Sequence, residues 1–149
     1  MPTPKSAATE QRIAKAALHL FATSGYHASS VRRIAARAHT NEAAINVYFK
    51  SKSSLFSVLL DTAVSHFIED LAQTLATRHP NHELLVDVVT RHRELLHLAM
   101  TDFTERGGEH ITRLIAQHAA VLDDLRPALM AAAGDVLLDD TRSASENAA

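Results

Sequence analysis

The sequence predicts an all-α protein: a three-helix head followed by a small helical C-terminal domain. Three observations predict it. Ala, Leu, Glu, Arg and His dominate, and no sustained period-2 run bounded by turn residues interrupts them. Apolar residues recur at i, i+3/i+4 and i+7. The breakers are few and fall between the periodic stretches, at Gly25, His79-Pro80, Gly107-Gly108 and Arg126-Pro127.

The first helix is expected over 7–24, with Ile13, Ala16, Ala17, Leu20 and Phe21 on one face. Gly25 follows in a position suited to a left-handed C′ residue. Ser29 and Ser30 can then cap a short second helix over 30–38, which turns Val31, Ile34, Ala35 and Ala38 inward and Arg32, Arg33 and Arg37 outward. Asn41 can cap a third short helix over 42–49, with Ala44, Ile45 and either Tyr48 or Phe49 facing the core. Ser51 caps a long fourth helix reaching 78, whose apolar line reads Leu55, Leu59, Ala63, Phe67, Leu71 and Leu75. Beyond Pro80 come a helix over 82–106, another over 109–125, and a last one that opens on Pro127 and reaches 138. Residues 139–149 form a short polar tail expected to fray. The expected domains are therefore a head over 7–52 extending into the linking helix 52–78, a helical domain over 82–138, and the tail.

Composition narrows the function classes. The 149 residues hold no Cys, which excludes a disulfide scaffold, a thiolate zinc site and a cysteine nucleophile. No apolar run approaches the roughly 20 residues that cross a bilayer, and the first six residues lack a secretory apolar core, so the expectation is a cytoplasmic protein. Net charge is −2 but unevenly spread: residues 1–60 carry a net +6 and the remainder a net −8. A basic front on an acidic body suggests that one end meets a polyanion.

Two short helices joined by about three residues on a longer scaffold helix read as helix-turn-helix. Such helices are marginal alone and present one of the pair outward, and in DNA readers the second enters the major groove. Lys50 and Lys52 stand at the mouth of the fourth helix, where free N–H groups and the dipole favour phosphate.

Arg12-Ile13, Ala16-Ala17, Leu20-Phe21, Gly25-Tyr26, Ser30-Val31-Arg32-Arg33-Ile34-Ala35, Ala38, Asn41-Glu42-Ala43-Ala44-Ile45-Asn46, Tyr48-Phe49-Lys50-Ser51-Lys52 and Leu55-Phe56 follow in gapless order. This run over 9–60 resembles the N-terminal domain of tetracycline-repressor-like (TetR-family) regulators. The resemblance implies that Ser29 and Ser30 cap the second helix and touch the DNA backbone. It puts Asn41, Glu42, Ala43, Ala44 and Asn46 on the recognition helix, Tyr48 at a phosphate, and Lys52 at the family's lysine opening the fourth helix. It also implies homodimers on pseudo-palindromic operators, released when a small molecule binds among the C-terminal helices. This chain departs from the family at His39, where Gly is usual, at Thr40, where an apolar plug is usual, and at Val47, where close relatives have Tyr. It is also shorter than the usual member, so either the helices after Pro80 take over dimerisation or the chain is a monomeric short form.

The implied interface is Ser29, Ser30, Arg32, Arg33, Asn41, Glu42, Ala43, Ala44, Asn46, Tyr48, Lys50 and Lys52. In base reading, Glu42 can accept from cytosine N4, Asn46 can pair with adenine, and the alanines leave room for thymine methyls. His92, His97, Met100, Phe103 and His118 are the candidates for lining an effector cavity, as helical core or as pocket. Histidine spacing does not support a metal set: His79 and His82 flank Pro80, His92 and His97 lie on different faces, and Glu94-Leu95-Leu96-His97 is a single Glu-x-x-His. No nucleophile motif occurs, so neither an enzyme nor a cofactor is expected. The expected function is a sequence-specific DNA-binding transcriptional regulator, a repressor. The alternative is a helical interaction protein that keeps this fold with operator binding weakened or lost.

Overall fold

A computed structural model describes residues 4–77 and 79–146, with side chains of the last helix as far as residue 134. Eight helices run in order among the described residues: α1 Pro4–Ser24, α2 Val31–Arg37, α3 Glu42–Phe49, α4 Lys52–Leu75, α5 His82–Arg91, α6 Arg93–Arg106, α7 Glu109–Gln117 and α8 Ala119–Glu146. The all-α expectation holds, and the first four helices lie close to where periodicity placed them.

The chain forms two compact units that do not follow chain order. One takes residues through Val64 together with Glu94–Leu114; the other takes Ser65–Arg93 together with the stretch from Ile115 onward. The boundary expected near Pro80 therefore does not separate them, because α4 begins in the first unit and ends in the second.

In the first unit, α1 packs on α2 and α2 on α3. Ile13, Ala17 and Phe21 of α1, Ile34 of α2, Ile45 of α3, and Leu55, Phe56 and Leu60 of α4 are completely buried. The buried line of α4 runs Phe56, Leu60, Val64, Ile68, Leu71 and Leu75. Leu59, Ala63 and Phe67 are only half-buried, so the predicted stripe lay about one residue out of phase over its middle. Apolar residues on both sides of the true seam made the two lines hard to tell apart.

Helices α2, α3 and α4 each start where a side chain can satisfy a free N–H group. Ser30 Oγ accepts from Arg33 N–H at 3.2 Å, Asn41 Oδ1 from Ala44 N–H at 2.8 Å, and Ser51 Oγ from Ser54 N–H at 3.0 Å. The ends of α2 and α3 use left-handed residues. At the close of α2, His39 N–H donates to Ala36 O and Thr40 N–H to Ala35 O, the paired bonds of a Schellman motif. The left-handed residue this motif requires is His39, at φ 51°. Lys50, after α3, is a second non-glycine residue at positive φ, 67°.

Also in the first unit, Asp102 is almost fully buried on α6. Its carboxylate accepts from Ile111 N–H at 3.0 Å, which ties the end of α6 to the start of α7 across Gly107-Gly108. His110 reaches Asp61 at 2.8 Å.

In the second unit, Leu71, Leu75, Val88 and Ala132 form a buried cluster on which Phe67, Leu85, Leu125, Ala128 and Leu129 pack. Four expectations are corrected in the C-terminal half. The helix expected over 82–106 is two helices: His92 leaves helical geometry, and its ring bonds Asp70 at 3.0 Å while Arg91 pairs with the same carboxylate at 2.9 Å. The helix expected over 109–125 breaks between Gln117 and Ala119. Pro127 does not open a helix but lies inside α8, where it has no N–H to give the carbonyl of Asp123. Arg126 and Asp123 pair across that turn. The helix then continues beyond 138 to Glu146, so the tail expected over 139–149 is helical as far as it is described; 147–149 lie outside the described residues.

A β-carbon at φ 51° crowds the following carbonyl, so His39→Gly should stabilise the chain by about 1 kcal/mol, after allowing for the greater freedom of glycine in the unfolded state. Urea unfolding followed by circular dichroism measures it; equal or lower stability would show that His39 is not strained.

Candidate nucleic-acid interface

The third helix is held by one face and offers the other. Ile45 and Phe49 are buried, and Ala44 and Tyr48 half-buried, so the helix cannot roll. Asn41, Glu42, Ala43, Asn46, Val47 and Lys50 are exposed. Positions 42, 43, 46, 47 and 50 fall on one side of a 3.6-residue period, which makes a continuous outward strip. Val47 is 77% exposed, more than any other large apolar residue among those described. Sequence reading counted it only as a missing tyrosine and overlooked its place on the strip. The burial pattern of Ile45 and Phe49 was the signal that could have found it.

Cations surround the strip unequally. Arg32, Arg37 and Lys50 are exposed and make no ion pair among the described residues. Arg33 is exposed but bonded to its own chain, donating to Ala28 O and Ser24 Oγ, so it braces the loop before α2. Ser29 is corrected: it is fully buried, and its hydroxyl donates to Gly25 O at 2.6 Å, because the turn from α1 needs that carbonyl satisfied. Only Ser30 of the serine pair is exposed, as the cap of α2.

Lys52 also turns inward. Its ammonium donates to Tyr26 O at 2.9 Å and lies 4.1 Å from the centre of the Tyr26 ring. Burial pushes its pKa below the ordinary lysine value; nearby Glu105 opposes that shift and Arg106 adds to it. The Arg106 guanidinium lies 4.7 Å from the Tyr26 ring and 4.6 Å from the Phe56 ring, and bonds Ser53 Oγ at 3.1 Å. Phe21 stacks on Tyr26 at 5.8 Å, and Phe56 meets both rings edge-on. Glu105 completes the node: its carboxylate accepts from His27 N–H at 2.7 Å, beside Gly25, and its carbonyl oxygen lies 3.0 Å from the His27 ring. The end of α6 thereby clasps the loop that carries the cap of α2. Sequence reading missed Glu105 and Arg106, since nothing local ties positions 78 and 80 residues beyond that loop to it.

The candidate effector residues are divided between the two units. In the first, His97, Met100 and Phe103 are exposed on α6, with Met100 at 61% and Phe103 at 53%. In the second, His92 is half-buried and committed to Asp70, with its ring edge-on to Phe67 at 5.6 Å, and His118 is half-buried. The break at His92 resets the helical phase, so residues that share a stripe on one continuous helix no longer do.

Residues 13–59, the span of this head, match the family described as "Bacterial regulatory proteins, tetR family". Over these residues the chain is similar to that family. It is 32% identical over 85 residues to the fatty acid metabolism regulator protein of Bacillus subtilis, covering 57% of this chain and 44% of that one. It is 40% identical over 73 residues to a B. subtilis protein named "Probable HTH-type transcriptional regulator YttP", covering 49% of this chain and 33% of that one. The chain thus spans less than half the length of either relative. Among solved structures, a transcriptional regulator (TerR/AcrR family) from Aquifex aeolicus VF5 superposes with a TM-score of 0.61 at 23% identity, over 91% of this chain and 83% of that one, a likeness of fold.

In this head, Lys52 is first a brace. Lys52→Ala removes a charge-assisted bond and a cation–π contact at a part-exposed site and should lower stability by about 1 kcal/mol. Denaturant unfolding reads it, and an unchanged midpoint would refute the bracing role.

Proposed function

We propose that this chain is a sequence-specific DNA-binding transcriptional regulator, acting as a repressor, with α3 as its reading helix. The observation that carries the proposal is the outward strip of α3 on a helix fixed by Ile45 and Phe49. A helix of this width fits the major groove, and its side chains match base edges in kind. Glu42 is an acceptor for cytosine N4, Asn46 can bond adenine at two atoms, and Ala43 and Val47 offer apolar contact to thymine methyls. Ala44 is too far buried to lead in this. Arg32, Lys50 and the α2 terminus at Ser30 supply phosphate contacts, with Tyr48 at the edge. Asn41 has a nearer duty, since its side chain caps α3.

TetR-family regulators bind DNA and small-molecule effectors and commonly act as dimers. For this chain, homodimerisation and relief by a small molecule are part of the proposal. They draw support from the family, and the five residues first considered for an effector add none. The rival, a helical interaction protein without an operator, is the reading that the inward commitment of Lys52 favours.

The two separate in a salt titration of binding to duplex from upstream of the chain's own gene, against random duplex, read by fluorescence anisotropy. The regulator reading expects preference for the upstream duplex and an affinity that falls steeply with salt. Lys50→Ala should flatten the log–log slope by about one unit on every sequence, while Asn46→Ala should change the ranking of operators. Equal affinity for both duplexes at every salt concentration would favour the interaction protein.

A further inference from the structure

The first unit contains a second cationic feature, away from the outward strip of α3. Arg12, Lys15 and Ala16 of α1 and Arg37, Ala38 and His39 at the end of α2 line an open cleft of about 690 Å³. Its floor is the pair of buried alanines, Ala16 and Ala38. Its walls are two guanidiniums, one ammonium and one imidazole. Lys15 and Arg37 have no ion pair among the described residues, and Arg12 makes only a 3.3 Å contact to the Thr9 hydroxyl on its own helix. Glu10 stands two positions before Arg12, a spacing that puts it on another side of α1. Three basic residues therefore line one concavity with no carboxylate among its lining residues, an arrangement whose mutual repulsion an anion would relieve.

His39 sharpens this. It holds a left-handed conformation that glycine would adopt without strain, and the Schellman bonds need only the backbone. The side chain kept there at a cost is an imidazole at the cleft wall. Strain retained by a residue that lines a pocket points from the outlier to a use.

We propose that this cleft is a phosphate-binding site, taking an oligophosphate-class anion through Arg12, Lys15, Arg37 and His39. Phosphate suits the donor set. Guanidiniums bind its oxygens two at a time, and the ammonium serves as a point charge. Apart from the His39 imidazole the lining holds no aromatic ring, and it has no large aliphatic side chain, so it recognises charge and not a hydrophobic body. The cleft volume exceeds that of a single phosphate. Consecutive phosphates occur in a nucleic-acid backbone and in a free polyphosphorylated compound, and the chemistry of the site is the same for both.

The test uses the full chain and inorganic tripolyphosphate at fixed ionic strength, followed by backbone amide NMR. The expected result is a saturable shift at residues 12, 15, 37 and 39 that weakens about tenfold or more in Arg12→Gln/Arg37→Gln, two exposed and therefore fold-tolerant changes. His39→Gly should weaken it less while leaving the fold intact. No saturable shift in the wild type, or equal affinity in the double variant, overturns the proposal. A second arm separates the sources. If random duplex displaces tripolyphosphate and the double variant flattens the duplex salt slope by about two units, the site holds backbone phosphates. If that slope is unchanged while tripolyphosphate still binds the wild type, the ligand is a free phosphorylated compound. A chain that takes tripolyphosphate and no duplex at all would sink the regulator reading and leave this site standing.

Discussion

The head depends on one aromatic ring held between cations. Tyr26 stacks on Phe21 of α1, meets Phe56 of α4, and carries both Lys52 and Arg106 within cation–π distance. Its backbone carbonyl takes the Lys52 ammonium as well. Each contact alone is worth roughly 1 kcal/mol, too little to fix a helix. Together they converge on a two-helix junction whose helices are too short to stand alone. They also explain why two neighbouring cations are tolerated there: the rings and Glu105 offset a repulsion that burial of Lys52 would otherwise make costlier.

From that node the division of labour among the basic residues follows. Lysines and arginines that look equivalent along the chain are sorted by what lies within reach. Arg33, Lys52 and Arg106 find carbonyls, hydroxyls and rings of their own protein. Arg12, Lys15, Arg32, Arg37 and Lys50 remain facing water. The positive front of the chain is therefore a mixture of internal braces and free charge, and only the free part is available to an external polyanion.

Much of this was legible in the sequence, because the head is specified locally. Caps at Ser30, Asn41 and Ser51 and the inward residues Ile34, Ile45 and Leu55 follow from spacing of a few residues, and the unusual turn at His39 was signalled only by the family resemblance. The inward turn of Lys52, the burial of Ser29 and the breaks at His92 and before Ala119 were not legible. Each depends on a partner distant in sequence or on a helical phase set by tertiary packing. Asp70 captures His92 from 22 residues away, and the outward face of Val47 is fixed only once Ile45 and Phe49 are anchored. The cleft at Arg12 and Arg37 needs α1 and α2 side by side, which no single window of sequence contains.

The contact between Glu105 and the loop after α1 makes one hydrogen atom matter. A methyl group added at Gly25 would sit 2.1 Å from Glu105 Oε1. The carboxylate is the free end of a flexible side chain, so it would swing aside and let the methyl in, and the His27 amide would lose its acceptor. Positions 25 and 105 are thus sterically married: the bareness of one licenses the reach of the other. An exchange at either is felt as a loosened hinge pin at the other.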